Sequence, residues 1–431
     1  MTKPKWNHLI VATLVLGMLL SFSGMAQAAV SVPGTERSDV VQAFEKLDKS
    51  VAGGDWYRNR TNESGILAWN EGFVLYSYLR MYEATGDKSY LDRFIVHADS
   101  VLQNRDSARG VKDYRGLSLP AWRTGGRYTV DGKYYNSVVH TGMIVSPIAD
   151  FARIVKDYDL QEYQDKASIY LQAAKDAVAV HDDEWVDKGD EGYYKVRKGA
   201  PLWYDGLGVP FNMYAVLGET QISLYQATGE SIYLERATKM ARHFKNHLSL
   251  DQATNSYVWS YWYGTAYTGW TSSNSPSSNT PAYKGYRVRE DVRHGVLDMR
   301  FIHKAYEAGI VFNNEDMSRF GNTITNKLIN SSTNINRFVD GKDTDSPLRI
   351  TGWTMLYPWA PEILALDEAT PFNAGIGMAG LSSYAKALSE IDDWSRPNNS
   401  QPSDPGNNDT PPAGGVDPSD PGNGQTTPPG D

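Results

Sequence analysis

Pairs of amphipathic helices dominate the pattern of apolar and polar residues between positions 40 and 388. In the stretch 69–84 apolar residues recur at intervals of three and four, and the Thr85-Gly86-Asp87 turn then leads into a second helix. The phrase A-T-G-[D/E]-x-x-Y-L occurs at 84–91 and again at 227–234, which marks an internal repeat. Weaker copies of the helix pair lie at 142–180, 291–328 and 353–387. The pattern therefore predicts at least five helical hairpins.

Hairpins repeated in this way predict an all-α fold, an (α/α)6–7 toroid over residues 29–396. Six or seven hairpins result if the segment 40–47 and one poorly patterned segment each contribute part of a pair. An open helical solenoid is the alternative. The unequal, aromatic-rich loops favour a closed barrel with a pocket at one mouth. Strand signals are scarce, and only Arg127 to Gly132 has the pattern of a hairpin turn.

The two ends of the chain differ from this pattern. Lys3 and Lys5 precede a short apolar run and the small-residue sequence Ala26-Gln27-Ala28, which predicts a signal peptide over 1–28 and a secreted, extracellular protein with no membrane anchor after cleavage. Residues 397–431 are rich in Pro, Asp and Gly and repeat the unit PSDPGN. They predict a disordered linker or tail that could lead to a further binding module.

Composition excludes several kinds of chemistry. The chain has no cysteine, which rules out disulfides, thiolate catalysis and cysteine-bound metals. Its net charge of −9 disfavours a nucleic-acid partner, because phosphate binding needs a basic face. Phosphate-binding glycine motifs are absent, so no nucleotide cofactor is expected. Asp340, Asp343 and Asp345 have an oxygen-rich spacing but lack the glycine and the glutamate of a calcium loop, so no metal is predicted.

Aromatic residues point to a sugar-binding surface. The 27 Tyr and 12 Trp residues crowd the loops between hairpins, and flat rings stack on the apolar faces of sugars. Any single ring can also simply fill the core. As a group, we expect the loop rings to line a saccharide groove, and the candidates are Trp122, Tyr135, Trp203, Tyr261 and Tyr267.

Two histidines lie at predicted helix starts, where a toroid brings residues of different hairpins together. His140 follows an aromatic loop, and His294 lies in the string Arg289-Glu290-Asp291-Val292-Arg293-His294. We expect both in the site. The five other histidines in the hairpin region have no comparable setting, and we predict that they are structural; they are His97, His181, His243, His247 and His303.

Five stretches of the chain, at 138–155, 181–189, 201–230, 257–264 and 289–320, resemble secreted polysaccharide lyases of the α/α-toroid type, particularly the glucuronan and alginate lyases of family thirty-eight. The resemblance implies β-elimination on an acidic, uronate-containing polysaccharide. A base would remove the C5 proton, an acid would protonate the leaving oxygen, and a further group would neutralise the carboxylate.

The resemblance also implies roles for particular residues. His140 would be the base or the partner of the substrate carboxylate, and Tyr263 or Tyr261 would be the acid. The candidates to neutralise the carboxylate are Arg289, His294 and Asn212, and Glu290 would orient His294.

Two other functions stay open. A glycoside hydrolase of the toroid type needs two carboxyl groups, and the adjacent pair Asp182-Asp183 resembles the adjacent aspartates of some toroid mannanases. Glu290, Asp291 and Asp205 could serve in the same way. A non-catalytic glycan-binding protein would need only the aromatic groove.

Overall fold

The computed structural model describes residues 30–331, 334–345, 350–369, 371–373, 375–392 and 394. The predicted signal peptide at 1–28 and the predicted tail at 397–431 lie outside these residues. The long helices are α1 (Arg37–Ser50), α2 (Gly72–Thr85), α3 (Ser89–Gln103), α4 (Val138–Asp157), α5 (Gln164–Ala179), α6 (Phe211–Thr228), α7 (Ser231–Lys245), α8 (Val292–Glu307), α9 (Asn314–Thr323), α10 (Glu362–Ala369) and α11 (Ile376–Ile391).

These helices form two concentric layers. In the inner layer α2, α4, α6, α8, the 3-10 segment Thr351–Leu356 and α11 each pack on the next, and α11 closes the ring against α2. The outer layer consists of α3, α5, α7, α9 and α10, which cover the inner elements in turn, and of α1, which covers α11. The predicted all-α toroid is confirmed, with six elements in each layer among the described residues, and the closed ring excludes the open solenoid.

The sequence explains which helix lies in which layer. Outer helix α3 buries one stripe of apolar residues, whereas inner helix α2 is buried at nearly every position. Helix α4 is long and apolar enough to cross a membrane by composition, yet 94% of its apolar window is buried inside the protein. It is therefore a core helix of the ring.

The two ends of the toroid differ in their connections. Inner helices lead to outer helices through short turns such as 86–88 and 229–230, where Gly86 and Gly229 take the left-handed conformation that ends a helix (φ 71° and 76°). Outer helices lead back through long segments, including 104–137, 180–210 and 246–291. We call the end where the inner helices begin the mouth, because all of these long segments gather there.

Short antiparallel strands lie at the mouth. They form the pairs β1 (Trp185–Lys188) with β2 (Glu191–Tyr194) and β3 (Ser249–Asp251) with β4 (Ser256–Val258), and the three-stranded set β5 (Ile329–Ser331), β6 (Asn334–Asn336) and β7 (Thr344–Asp345). The predicted hairpin turn between Arg127 and Gly132 is present, with positive φ at Asp131 and Gly132, but Gly126–Tyr128 forms a 3-10 turn and not a strand.

Buried ion pairs fill the end of the ring opposite the mouth. Asp150 of α4 forms salt bridges with Arg153 Nε at 2.7 Å, with Lys304 Nζ at 2.5 Å and with a guanidinium nitrogen of Arg80. Glu83 of α2 pairs with the same two arginines. Charges from three inner helices therefore meet inside the ring and hold these helices in register.

Candidate active site

A cluster of acids around one histidine lies at the mouth, where α8 begins. Asp291 is the N-cap of α8 and accepts hydrogen bonds from the backbone N–H groups of Arg293 (2.9 Å) and His294 (3.2 Å). Its Oδ2 is 2.8 Å from His294 Nδ1. Both side chains are partly exposed, His294 at 12% and Asp291 at 13%, so this ion pair faces the mouth.

Behind Asp291 lies a second, fully buried carboxyl group. Glu290 Oε1 accepts the backbone N–H of Asp291 at 2.9 Å, and its Oε2 accepts Asn212 Nδ2, from the first turn of α6, at 2.8 Å. The Glu290 backbone is also fixed, because it pairs with Trp259 on one side and with Val339 on the other. Glu290 is thus held by three separate segments of the chain.

Asp298 completes the cluster from the second turn of α8. Its Oδ2 accepts Trp259 Nε1 at 2.9 Å. Its side chain has no exposed surface. Asp291, His294 and Asp298 are spaced three and four residues apart, so they share one face of the helix.

The pKa values of the two adjacent acids are shifted in opposite directions. Burial opposes the charge of Asp291, but His294 and the two capping N–H groups outweigh burial and lower its pKa to about 2. Burial raises the pKa of Glu290 well above its usual value, and the neighbouring charges of Asp298 and Asp291 raise it further. Burial lowers the pKa of His294, but Asp291 outweighs it and the net shift is upward. The surroundings therefore hold the pKa of Asp291 low and that of Glu290 high.

The same cluster is the place where the described residues could offer three ligand atoms to a metal ion. The ligand atoms of Glu290, Asp291 and His294 all lie within 4.8 Å of one another. These carboxyl oxygens already accept N–H groups, however, and His294 Nδ1 is paired with Asp291. Hydrogen bonds thus satisfy the oxygens of Glu290 and Asp291 without an ion.

Aromatic rings lead from this cluster along one wall of the mouth. Tyr261 contacts His294 edge-on at 5.3 Å between ring centroids, and Tyr286 contacts Tyr261 at 6.1 Å. Trp203 packs against Tyr283 at 5.0 Å. Trp203, Tyr283 and Tyr286 are partly exposed, whereas Tyr261 is buried. The partly exposed rings are the ones that can stack on a sugar.

The predicted residues Asn212, Glu290 and His294 are brought together here, and Arg289 lies beside them. Arg289 donates to Ser260 Oγ at 3.3 Å, and the backbones of Arg289 and Ser260 form a β-bridge. Tyr267 is partly exposed in the short helical turn Gly264–Thr268. It lies in the same loop segment as the aromatic wall.

His140 lies in the first turn of α4 but has no free nitrogen. Trp69 Nε1 donates to its Nε2 at 3.0 Å, and Asn62 Nδ2 is 3.1 Å from its Nδ1. Burial lowers its pKa to about 3, with a further contribution from the charge of Arg127. To act as a base, His140 would first have to lose its hydrogen bond with Trp69. The structure therefore makes His140 a buried, neutral residue that fixes the start of α4.

Tyr263, Trp122 and Tyr135 have structural contacts. Tyr263 donates its hydroxyl to the backbone carbonyl of Val209 at 2.9 Å, and burial raises its pKa well above the usual value. Trp122 and Tyr135 are each 1% exposed. These two rings cannot reach a polymer from the core.

The other acidic candidates have structural partners as well. Asp182 and Asp183 lie at the rim of the mouth, largely exposed, and pair with Arg236 and Arg197 respectively. Asp205 is buried, and it ties two loops together by accepting the backbone N–H groups of Gly199 (2.7 Å) and Ser278 (3.0 Å).

The structure also shows the partners of the possible calcium loop and of the five histidines predicted to be structural. Asp340 pairs with Lys342, and Asp345 pairs with Arg293, so cationic side chains already neutralise two of the three aspartates. Each of the five histidines has a protein partner: His97 has Glu71, His181 has Glu184, His243 has Tyr214, His247 has the His243 carbonyl and His303 has Glu307.

Asp298 and Trp259 are the members of the cluster that sequence reasoning missed. Asp298 follows Asp291 by seven residues, and this helical spacing was the available signal. Trp259 gives no such signal, because its contact with Asp298 joins distant parts of the chain.

No protein-family model and no curated protein matches the chain. Among solved structures it is similar to a family 76 glycoside hydrolase from a bovine strain of Bacteroides thetaiotaomicron, at 15% identity over 76% of this chain and 69% of that chain, with a TM-score of 0.44. It is also similar to an inactive variant of an α-1,6-mannanase of Salegentibacter sp. HEL1_6 in complex with α-1,6-mannotriose, at 12% identity over 82% and 99% of the two chains, with a TM-score of 0.46.

A third similar structure is a family 76 α-mannanase of Bacteroides thetaiotaomicron, at 13% identity over 75% of this chain and 86% of that chain, with a TM-score of 0.43. At these identities the likeness concerns the fold. The resemblance to polysaccharide lyases of family thirty-eight is wrong, because the similar structures are glycoside hydrolases. The contacts of His140 and Tyr263 also leave the expected acid/base pair without free groups. The described residues form a six-plus-six helical toroid with an acid cluster at its mouth.

Proposed function

We propose that the protein is a glycoside hydrolase that cleaves a polysaccharide at the mouth of the toroid. The observation that carries the proposal is the pair of adjacent carboxyl groups at the start of α8, held by Asn212 and His294, whose pKa values their surroundings shift in opposite directions. Glycosidic hydrolysis needs both states at once, because one group must give a proton to the leaving oxygen while the other acts as a carboxylate.

The contacts suggest a role for each member of the pair. Asp291 faces the mouth and is kept ionised by His294, so it is the carboxylate that acts on the anomeric carbon. Glu290 lies directly behind it without exposed surface, and its raised pKa suits the member of the pair that holds a proton. His294 and Asn212 position the two acids through hydrogen bonds of 2.8 Å each.

The aromatic wall supports a carbohydrate as substrate. Trp203, Tyr283 and Tyr286 present partly exposed rings beside the acid cluster, and such rings stack on sugar faces. α-1,6-Mannan is the first polymer to assay, because the proteins of similar fold include enzymes named α-mannanases. An extracellular site of action fits the signal peptide predicted at 1–28.

The proposal is tested by the products of purified protein on α-1,6-mannan and on a panel of neutral and acidic polysaccharides. Hydrolysis gives new reducing ends and no ultraviolet absorbance from a carbon–carbon double bond. We expect reducing ends on at least one polymer. Binding of a polymer without any product would instead favour a glycan-binding protein and would contradict the proposal.

A further inference from the structure

Two partly exposed aromatic rings, Trp69 and Tyr128, lie together at the start of α2. Trp69 belongs to the π-helical turn Leu67–Glu71 that precedes α2, and Tyr128 belongs to the loop between α3 and α4. The two rings close over Gly65, because a Cβ atom on this residue would lie 2.5 Å from the Tyr128 hydroxyl and 2.9 Å from Trp69 Cδ1. Gly65 also has a φ of 81°, so both the close approach and the backbone conformation favour glycine here.

Buried groups hold both rings in place. Trp69 Nε1 donates to His140 Nε2 at 3.0 Å, and Tyr128 contacts the same imidazole edge-on at 4.8 Å between ring centroids. On the other side of the imidazole, Asn62 Nδ2 is 3.1 Å from His140 Nδ1. Rings that are already ordered lose little conformational entropy when a ligand stacks on them. The contacts therefore make this pair of rings a rigid platform.

The platform continues the aromatic wall around the mouth. The backbone N–H of Val130 donates to the carbonyl of Pro201 at 2.8 Å, which joins the loop of Tyr128 to the loop of Trp203. In the inner layer α2 lies opposite α8, with two elements between them on either side. Neighbouring helices pack about 8–10 Å apart, so the axes of α2 and α8 are about 16–20 Å apart across the ring. A single sugar unit cannot contact both the platform and the acid pair.

We infer that Trp69 and Tyr128 form a distal subsite, which binds a pyranose unit of the polymer remote from the bond that is cleaved. The rings supply the apolar surface for stacking. At their edge Arg127, an exposed residue, donates Nη2 to the Tyr128 hydroxyl at 2.8 Å and adds polar N–H groups of the kind that bind sugar hydroxyls. This inference rests on the proposed function for the position of the cleaved bond, but binding at the subsite can be observed without hydrolysis.

The experiment uses the full chain and substrates of different length. These are α-1,6-mannan, or the polymer of the panel that the wild type cleaves, and oligosaccharides of the same linkage from the trisaccharide upward. A chain must be long enough to reach from the acid pair to the platform before the subsite contributes. In Trp69→Ala and Tyr128→Ala we therefore expect kcat/KM to fall about three- to tenfold on the polymer and to stay unchanged on the trisaccharide.

Trp359→Ala is the matched control. Trp359 is also partly exposed, donates its Nε1 to Asn314 Oδ1 at 2.8 Å and contacts the ring of Tyr306 at 5.2 Å. Tyr306 lies in the last turn of α8, so Trp359 is at the end of the ring opposite the mouth. The control should leave kcat/KM unchanged on every substrate. Trp69→Phe and Tyr128→Phe keep a ring and should keep most of the activity on the polymer.

The outcomes separate this inference from the proposed function. Equal losses on the polymer and on the trisaccharide, or no loss on the polymer, would refute the subsite. Retardation in native gels that contain the polymer measures binding without hydrolysis. If no polymer is hydrolysed but Trp69→Ala, unlike Trp359→Ala, loses its retardation, the subsite stands and the proposed function fails. If no polymer retards the wild type, the subsite is refuted as well. Tyr128→Ala, which changes a loop residue, covers the case in which Trp69→Ala does not fold.

Discussion

Removing the charge of Asp150 should strongly destabilise the toroid. Asp150 Oδ1 lies 2.5 Å from Lys304 Nζ and 2.7 Å from Arg153 Nε, and these cations are only 10% and 13% exposed. Glu83 can still neutralise Arg80 and Arg153 in the variant Asp150→Asn. Lys304 has no other acidic partner among the described residues and keeps only Ser223, at 2.5 Å.

The expected loss of unfolding free energy follows from Lys304, the one cation left without an acidic partner in Asp150→Asn. Breaking a buried ion pair by removing one partner costs about 3–5 kcal/mol. The matched control is Asp157→Asn, because Asp157 also pairs with Arg153 but is 30% exposed. A pair at that exposure contributes about 1 kcal/mol or less. The free energy of unfolding, measured by urea denaturation, should therefore fall several times further for Asp150→Asn than for Asp157→Asn.

The pH dependence of stability has a definite sign. Burial opposes the charge of Asp150, but Arg153, Lys304 and Arg80 outweigh it and hold its pKa well below the usual value. A carboxyl group with a depressed pKa stabilises the folded state above its unfolded pKa, and the stability is lost as the pH falls. Wild-type stability should thus decline below about pH 4, and Asp150→Asn should flatten that decline. Equal unfolding free energies for Asp150→Asn and Asp157→Asn would refute the reasoning.

Three further predictions concern the mouth and the outer layer. Trp203→Ala should raise KM several-fold with a smaller effect on kcat, because it removes a partly exposed ring from the aromatic wall. Steady-state kinetics on the cleaved polymer measure both constants, and an unchanged KM would argue against stacking. His294→Gln should move the acid limb of the pH–rate profile upward, because His294 helps to lower the pKa of Asp291; a limb that stays in place would contradict this. Asn313→Ala removes the capping box of α9 and should cost about 1 kcal/mol of unfolding free energy with no change in kcat; a change of kcat would show that α9 affects the site.

Much of the fold could be predicted from the sequence, because its signals are local. The repeated A-T-G-[D/E]-x-x-Y-L phrase contains the glycine that ends α2 and α6, and the apolar spacing identifies both helices of each hairpin. The closing element of the ring was harder to see. Residues 351–356 form a 3-10 segment, which has no 3.6-residue period to detect.

The site could be predicted only in part. Glu290 and His294 were found because they lie at a helix start, and their side chains do meet. A ring in a loop gives the same sequence signal whether it packs inward or faces solvent. The sequence therefore could not show that Trp122 is buried or that Tyr263 is partly buried, because these positions depend on contacts with the distant residues Val101 and Val209.

The error about the reaction has a related cause. A histidine at a helix start beside aromatic loops fits elimination and hydrolysis equally well in sequence. What favours hydrolysis is the opposite pKa shifts of Glu290 and Asp291, which depend on burial and on Asn212 and Asp298 from other turns and helices. A single sequence does not show those contacts.

The activities of Asp291→Asn and Glu290→Gln on the polymer that the wild type cleaves test the central claim most directly. Both changes are nearly isosteric, and in Asp291→Asn the amide oxygen of the new side chain would still cap α8. The control is Asp183→Asn, which removes an exposed acid at the rim of the same mouth. We predict that both site variants lose at least about a thousandfold in kcat while the control keeps near-wild-type activity. If Asp291→Asn and Glu290→Gln both hydrolyse the polymer at close to the wild-type rate, the acid pair at the start of α8 is not the catalytic site.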